Sequence, residues 1–187
     1  MNVIFLDFDG VLNTYHYHSN EDIENKVKIL ADICQEYNCK IVIESSYKDS
    51  IDEETMEIYN EWVNFLFSLF KKYHIECIGR CPNVIRRISP ISYIPMWKED
   101  EIRLYLFRHP EIEHYCVIDD DDMPYVIHGE SDLNKVRNHL VRTKLYDKDD
   151  PASEGLLPNH KEEVGKILKK ENEIKKLVLK QNKKAKK

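Results

Sequence analysis

Val3-Ile4-Phe5-Leu6-Asp7-Phe8-Asp9-Gly10-Val11-Leu12-Asn13 is the stretch that decides the fold. Its four leading apolar residues show no polar alternation, so they read as a strand buried on both faces, as in parallel sheets. Residues two apart on an extended chain point the same way. Asp7 and Asp9 therefore converge at the strand's carboxyl end, where open α/β sheets bind ligands. Gly10 lets the chain turn sharply there. At about 4 Å and an effective dielectric near 20, two carboxylates repel by roughly 4 kcal/mol. Either one of them is protonated or a cation sits between them. A hard divalent ion with oxygen ligands, Mg2+ above all, is the natural partner. Taken alone, the stretch reads equally well as a polar strand end and turn, so the rest of the chain has to decide.

Downstream, a polar loop over 13–20 carries His16 and His18, which overhang the proposed site as possible substrate contacts. A helix is expected over 22–38, with Ser19 or Asn20 as N-cap. Lys40-Ile41-Val42-Ile43-Glu44 is the second strand and runs into Ser45-Ser46-Tyr47-Lys48. Strand, helix and strand make a βαβ unit with parallel strands. Both serines then lie at the same sheet edge as the aspartates, where a hydroxyl can meet a phosphate oxygen. Ser50-x-x-Glu53 resembles a capping box for a helix over 51–73, which leaves Ser45 or Ser46 for a ligand. A third strand is expected over 75–78. An irregular stretch over 79–95 follows, whose Arg80, Arg86 and Arg87 could meet an anion or simply be solvated.

Lys98 opens a helix over 98–108, closed by Pro110. His114-Tyr115-Cys116-Val117-Ile118 is the fourth strand and ends in Asp119-Asp120-Asp121-Asp122. The first two of these acids sit at a strand end as Asp7 does. A short helix over 131–138 and a fifth strand over 139–143 complete the alternation. A last helix is expected from Asn159, with Glu162 completing a capping-box variant and an apolar stripe of Val164, Ile167, Leu168, Ile174, Leu177 and Val178.

At 187 residues the chain fits one domain, with 42% hydrophobic and 33% charged residues, as in a soluble globular protein. No apolar run reaches the roughly 20 residues that span a bilayer, and the start of the chain lacks the pattern of a signal peptide. The five cysteines are odd in number and form no C-x-x-C pair, which argues against zinc and for reduced thiols. These features predict a cytoplasmic protein. Residues 161–187 hold 11 lysines and 4 glutamates, or +7 against a whole-chain charge of −6, which leaves −13 for residues 1–160. The acidic body suits nucleic acid poorly unless a metal inverts the local sign. The basic tail could touch phosphate backbones, or be a solvated helix end.

Asp7-Phe8-Asp9-Gly10-Val11, a strand-end Ser45 or Ser46, Lys98 and Val117-Ile118-Asp119-Asp120 stand in the order of the four motifs of the haloacid dehalogenase-like (HAD) superfamily. The resemblance spans about residues 3–160. Asp9-Gly10-Val11-Leu12-Asn13, Ser45-Ser46-Tyr47-Lys48, Lys98-x-x-Glu101-Ile102, Val141-x-Thr143 and Gly155-Leu156 are similar to a capless subgroup that includes domains associated with RNA repair. The resemblance implies a Rossmann-like three-layer α/β sandwich around a mostly parallel five-stranded sheet without a substantial cap. A catalytic domain would cover 1–160 and a basic helix and tail 161–187.

The resemblance also implies roles. Asp7 would be the nucleophile of an aspartyl-phosphate phosphatase, and Asp9 would protonate the leaving group and then activate water. Ser45 or Ser46 and Lys98 would hold phosphoryl oxygens, with Gly10 beside the substrate. Asp119 and Asp120 would hold Mg2+ together with Asp7 and the Asp9 carbonyl. Two departures stand out. Val11 replaces a common threonine, and Glu44 adds a negative charge beside the phosphate site, where it would weaken binding if it points inward. Asp9 favours phosphoester hydrolysis over dehalogenation. The short insertions, 13–20 and 79–95, imply an open site suited to a large phosphorylated substrate, a nucleic-acid end among them. The alternative is a catalytically inactive Mg2+- or phosphate-binding module.

Overall fold

The computed structural model describes residues 1–89, 92–95, 97–124 and 135–169, with the backbone alone over 85–89 and 92–95. Its centre is β1 (Asn2–Leu6), where Val3, Ile4, Phe5 and Leu6 are each wholly buried. β2 (Cys39–Ile43) and β6 (His114–Asp119) flank it. β3 (Cys77–Arg80) and β7 (Leu140–Arg142) form the edges. The sheet order is β3-β2-β1-β6-β7, and all four pairings are parallel. The chain leaves β1 for one side of the sheet and later returns on the other. The order therefore reverses beside β1, and such a switch point opens a crevice at the carboxyl ends of the strands.

Alternation along β1 sorts the core into two layers. Ile4 and Leu6 share an apolar cluster with α1 (Asn20–Tyr37), α2 (Glu61–Lys72) and a helix over 160–169, here α4. Val3 and Phe5 share the other with Ile102 and Tyr105 of α3 (Lys98–Arg108). The result is the three-layer α/β sandwich. Phe5 meets Tyr105 and Tyr115 edge-on, each with ring centroids 5.7 Å away, a favoured aromatic geometry.

Local chemistry sets the element ends. Ser19 caps α1 in a complete capping box with Asp22, and Asn38 closes it in the left-handed region at φ 50°. α2 starts at Glu61, ten residues later than the sequence pattern suggests, and Asn60 caps it. Ser50 instead ends a short 3-10 helix (Ser46–Ser50), its hydroxyl donating to the Tyr47 carbonyl. The cause lies in Asp52, whose carboxylate accepts from the backbone of Glu54 and Thr55 and from the Thr55 hydroxyl. A turn closed by side-chain bonds competes with helix, and the Asp52 N–H bonded to the Glu57 carbonyl completes it.

The stretch expected to be irregular over 79–95 holds the end of β3 and an antiparallel hairpin, β4 (Ile85–Ser89) with β5 (Ser92–Pro95). A hairpin is no folded lid. The side chains of Arg86 and Arg87 lie outside the described residues, as do the first four residues of the helix expected over 131–138. Val136–His139 forms a 3-10 turn that runs one residue past that helix's expected span, into the first residue of the strand expected over 139–143. In α4, Val164 and Leu168 dock on the core, while Ile174, Leu177, Val178 and the lysine-rich end lie beyond the described residues. No described helix is long and apolar enough to cross a membrane.

Candidate active site

The register of the sheet builds the site. Leu6 pairs with Ile118 across parallel strands, so Asp7 and Asp119 emerge side by side. The Asp7 N–H donates to the Ile118 carbonyl at 3.0 Å and fixes the alignment. Both carboxylates are buried. With Asp120 they form a cluster in which one oxygen from each lies within 4.8 Å of the others. At that spacing and an effective dielectric near 20, each pair of charges would repel by roughly 3–4 kcal/mol.

Part of that repulsion is met by Lys98, the first residue of α3. Its Nζ lies 2.6 Å from Asp7 Oδ2, 2.9 Å from Asp119 Oδ2 and 3.3 Å from Asp121 Oδ2. Burial works against the lysine charge, but Asp7 and then Asp119 outweigh it and its pKa is raised. One ammonium does not neutralise the cluster. Burial and then the Asp7 charge push Asp119 up to about 7 despite Lys98, and burial and Asp121 raise Asp120. Buried, under-neutralised hard oxygen donors fit a divalent cation such as Mg2+.

Asp9 lies just outside the cluster. Its Oδ1 accepts from Asn13 Nδ2 at 2.9 Å, which holds the carboxylate in one orientation. Gly10 makes the turn between them at φ +70°, and a Cβ there would stand 2.3 Å from Asp120 Cγ. Asp121 and Asp122 are exposed. The Asp121 N–H braces Asp119 Oδ1 at 2.9 Å, and Asp122 pairs with Arg142. The Thr143 N–H reaches the Asp119 carbonyl at 2.9 Å, and Leu156 reaches the Val11 carbonyl at 2.9 Å. The two late pieces of the sequence pattern thus brace the first and fourth motifs.

After β2 the two serines diverge. Ser45 is wholly buried, and its Oγ accepts weakly from the Tyr47 N–H at 3.4 Å, which leaves its own proton free to donate. Ser46 is exposed. Glu44 is also wholly buried, and it faces Lys48 within the protein. Lys48 Nζ sits 3.4 Å from its carboxylate and 2.6 Å from Glu101 Oε2. Two carboxylates against one ammonium leave a surplus negative charge, and burial pushes Glu44 up to about 8. This triad ties the loop after β2 to the first turn of α3, which carries Lys98. In the sequence, Lys48 and Glu101 stand only as parts of the family pattern, with no role attached. Their pairing spans 53 positions, and charge complementarity with Glu44 was the available signal.

Three further candidates are occupied elsewhere. The His16 ring is 2.7 Å from the buried Glu154 carboxylate and stacks on Tyr146. His18 Nδ1 meets the Tyr15 carbonyl at 3.1 Å. Arg80 donates to the Cys81 carbonyl at 3.0 Å and lies 3.9 Å from Glu53.

Residues 3–148 match the family model described as HAD domain in Swiss Army Knife RNA repair proteins. The chain belongs to this HAD family. The match covers both strand-end aspartate motifs, the serine pair and Lys98, and it extends through β7. Comparison with curated proteins and with solved structures found no match. In this HAD domain the four motifs meet at one sheet edge, and membership supports a phosphatase-type hydrolase in general.

Proposed function

We propose that the domain is a Mg2+-dependent phosphomonoesterase working through an aspartyl-phosphate on Asp7. The observation that carries this reading is Lys98 Nζ bridging Asp7 and Asp119, with Asp120 in the same acidic cluster. Asp7, Asp119 and Asp120, with the Asp9 carbonyl, would hold the ion. When bound, it would neutralise the carboxylates and the charge on the transferring phosphoryl group. Lys98 draws the phosphoryl oxygens toward Asp7, and the Ser45 hydroxyl offers a further donor at the same edge.

An Asp7 carboxylate oxygen attacks phosphorus as the bond to the leaving oxygen breaks, and Asp9 gives that oxygen its proton. Asp9 then takes a proton from water, the hydroxide attacks phosphorus, and the Asp7–phosphate bond breaks to release inorganic phosphate. Asn13 keeps Asp9 aimed through both steps. The inactive-module reading drew on Glu44, and the Lys48 beside that carboxylate weakens the motive. A polynucleotide end is the substrate class favoured by the family description, which concerns RNA repair proteins, and by the lysine-rich end of the chain.

The test is phosphate release from a panel of phosphomonoesters, with Mg2+ and with chelator. Wild type is expected to turn over only with the ion, and Asp7→Asn to lose turnover while keeping its fold by circular dichroism. Turnover unchanged in Asp7→Asn would overturn the reading.

A further inference from the structure

Beside the catalytic edge lies an open cleft of about 530 Å³ that the proposed chemistry does not use. Four of its lining side chains are aromatic: Tyr15, Tyr47, Trp62 and Tyr146. They stand in two pairs. Tyr47 and Trp62 are tilted at 35° with centroids 4.6 Å apart, and Tyr15 and Tyr146 meet edge-on at 4.9 Å. Tyr15 and Tyr146 are 67% and 51% exposed, so they keep ring surface uncovered by the protein. The Tyr47–Trp62 pair is rooted in the core through Phe8, 5.7 Å from Trp62. His18 and Asn13 add polar edges to the lining.

Asn13 connects this cleft to the chemistry, because the same side chain holds the Asp9 carboxylate. The proposed acid for the leaving group, Asp9, therefore lies one hydrogen bond away from a lining residue of the cleft, without lining it itself. On the phosphatase reading, a group in the cleft would belong to the part of the substrate that carries the leaving oxygen. Asp7, Lys98 and Asp119 do not line it. A ring held there would be set apart from a phosphate at Asp7, which leaves room for a sugar between phosphate and base.

We infer that this aromatic cleft is a base-stacking subsite for the unpaired terminal nucleotide of a polynucleotide whose end phosphate enters at Asp7. The inference rests on the phosphatase reading for the position of the phosphate. Stacking on aromatic faces tolerates any base and requires an unstacked one, which favours single-stranded ends over flush duplex ends. It also supplies binding that an acidic body cannot draw from backbone charge alone.

The test compares full-length wild type with Tyr15→Ala and Tyr146→Ala, whose exposed rings can be removed with little loss of core. Substrates are single-stranded oligonucleotides phosphorylated at the 3′ or 5′ end, the same oligonucleotides with an abasic terminal sugar, glycerol phosphate and a phosphotyrosine peptide. Loss of one stacking face is expected to raise KM for the base-bearing end by about five- to a hundredfold. It should leave glycerol phosphate and the abasic end unchanged. Quenching of tryptophan fluorescence by a nucleoside monophosphate, weakened in both variants, reports the cleft without turnover. Equal KM for base-bearing and abasic ends in wild type, or an equal advantage for the phosphotyrosine peptide, would overturn the inference. Failure to hydrolyse any ester would overturn the phosphatase reading instead, and the quenching would still decide the cleft.

Discussion

Gly10 shows how closely the acidic edge of the sheet is built. Its backbone sits at φ +70°, and the space a Cβ would take is filled by the Asp120 carboxyl group. An alanine there costs about 1–2 kcal/mol for the left-handed backbone and must also push Asp120 aside. Gly10→Ala is therefore expected to weaken Mg2+ binding, read by titration calorimetry, by more than its modest fall in melting temperature suggests. An unchanged Mg2+ affinity would remove Asp120 from the metal set. Sequence pointed to Gly10 as a turn, but the collision with Asp120 joins residues from separate strand ends and appears only in three dimensions.

Among the elements, β1, α3 and β6 were legible because each is an uninterrupted run with clear stops. α3 in particular occupies the span its sequence pattern suggests, Lys98–Arg108. α2 was not, because the Asp52 turn draws the chain away from helix where the apolar spacing still invites it. The Glu44–Lys48–Glu101 triad was equally hidden, since its partners come from two elements distant in sequence. Lys48→Met leaves the Glu101 carboxylate buried without its cation, and breaking such a pair costs about 3–5 kcal/mol. Urea denaturation of that variant is expected to show a loss of this size, with the first turn of α3, which carries Lys98, held less firmly to the loop after β2. The seat of α4 carries a pH signature. His160 Nδ1 accepts from the Leu157 N–H at 3.0 Å, and burial holds the ring's pKa below its usual 6.5. A depressed histidine stabilises the fold above the unfolded value, and that stability is lost as pH falls below 6.5 toward the folded value. Melting temperature should drop through that window, and His160→Asn, which keeps an acceptor without titrating, should flatten the slope.

At the scale of the whole molecule, charge is divided between an acidic body and a basic end, −13 against +7. Phosphate contacts by lysines release counterions and weaken as salt rises. Removing residues 170–187 is expected to raise KM for a phosphorylated oligonucleotide at low salt and to flatten its salt dependence, with glycerol phosphate unaffected. A salt dependence that survives the deletion would place the contacts on the body. The ion pair of Lys98 with Asp7 and Asp119 has a consequence for assembly. A nest of carboxylates with its own resident ammonium is already partly neutralised before any ion arrives. The empty domain should form first and load afterwards, so chelation would silence it without unfolding it, and the free Mg2+ of its surroundings, not its folding, would set when it works.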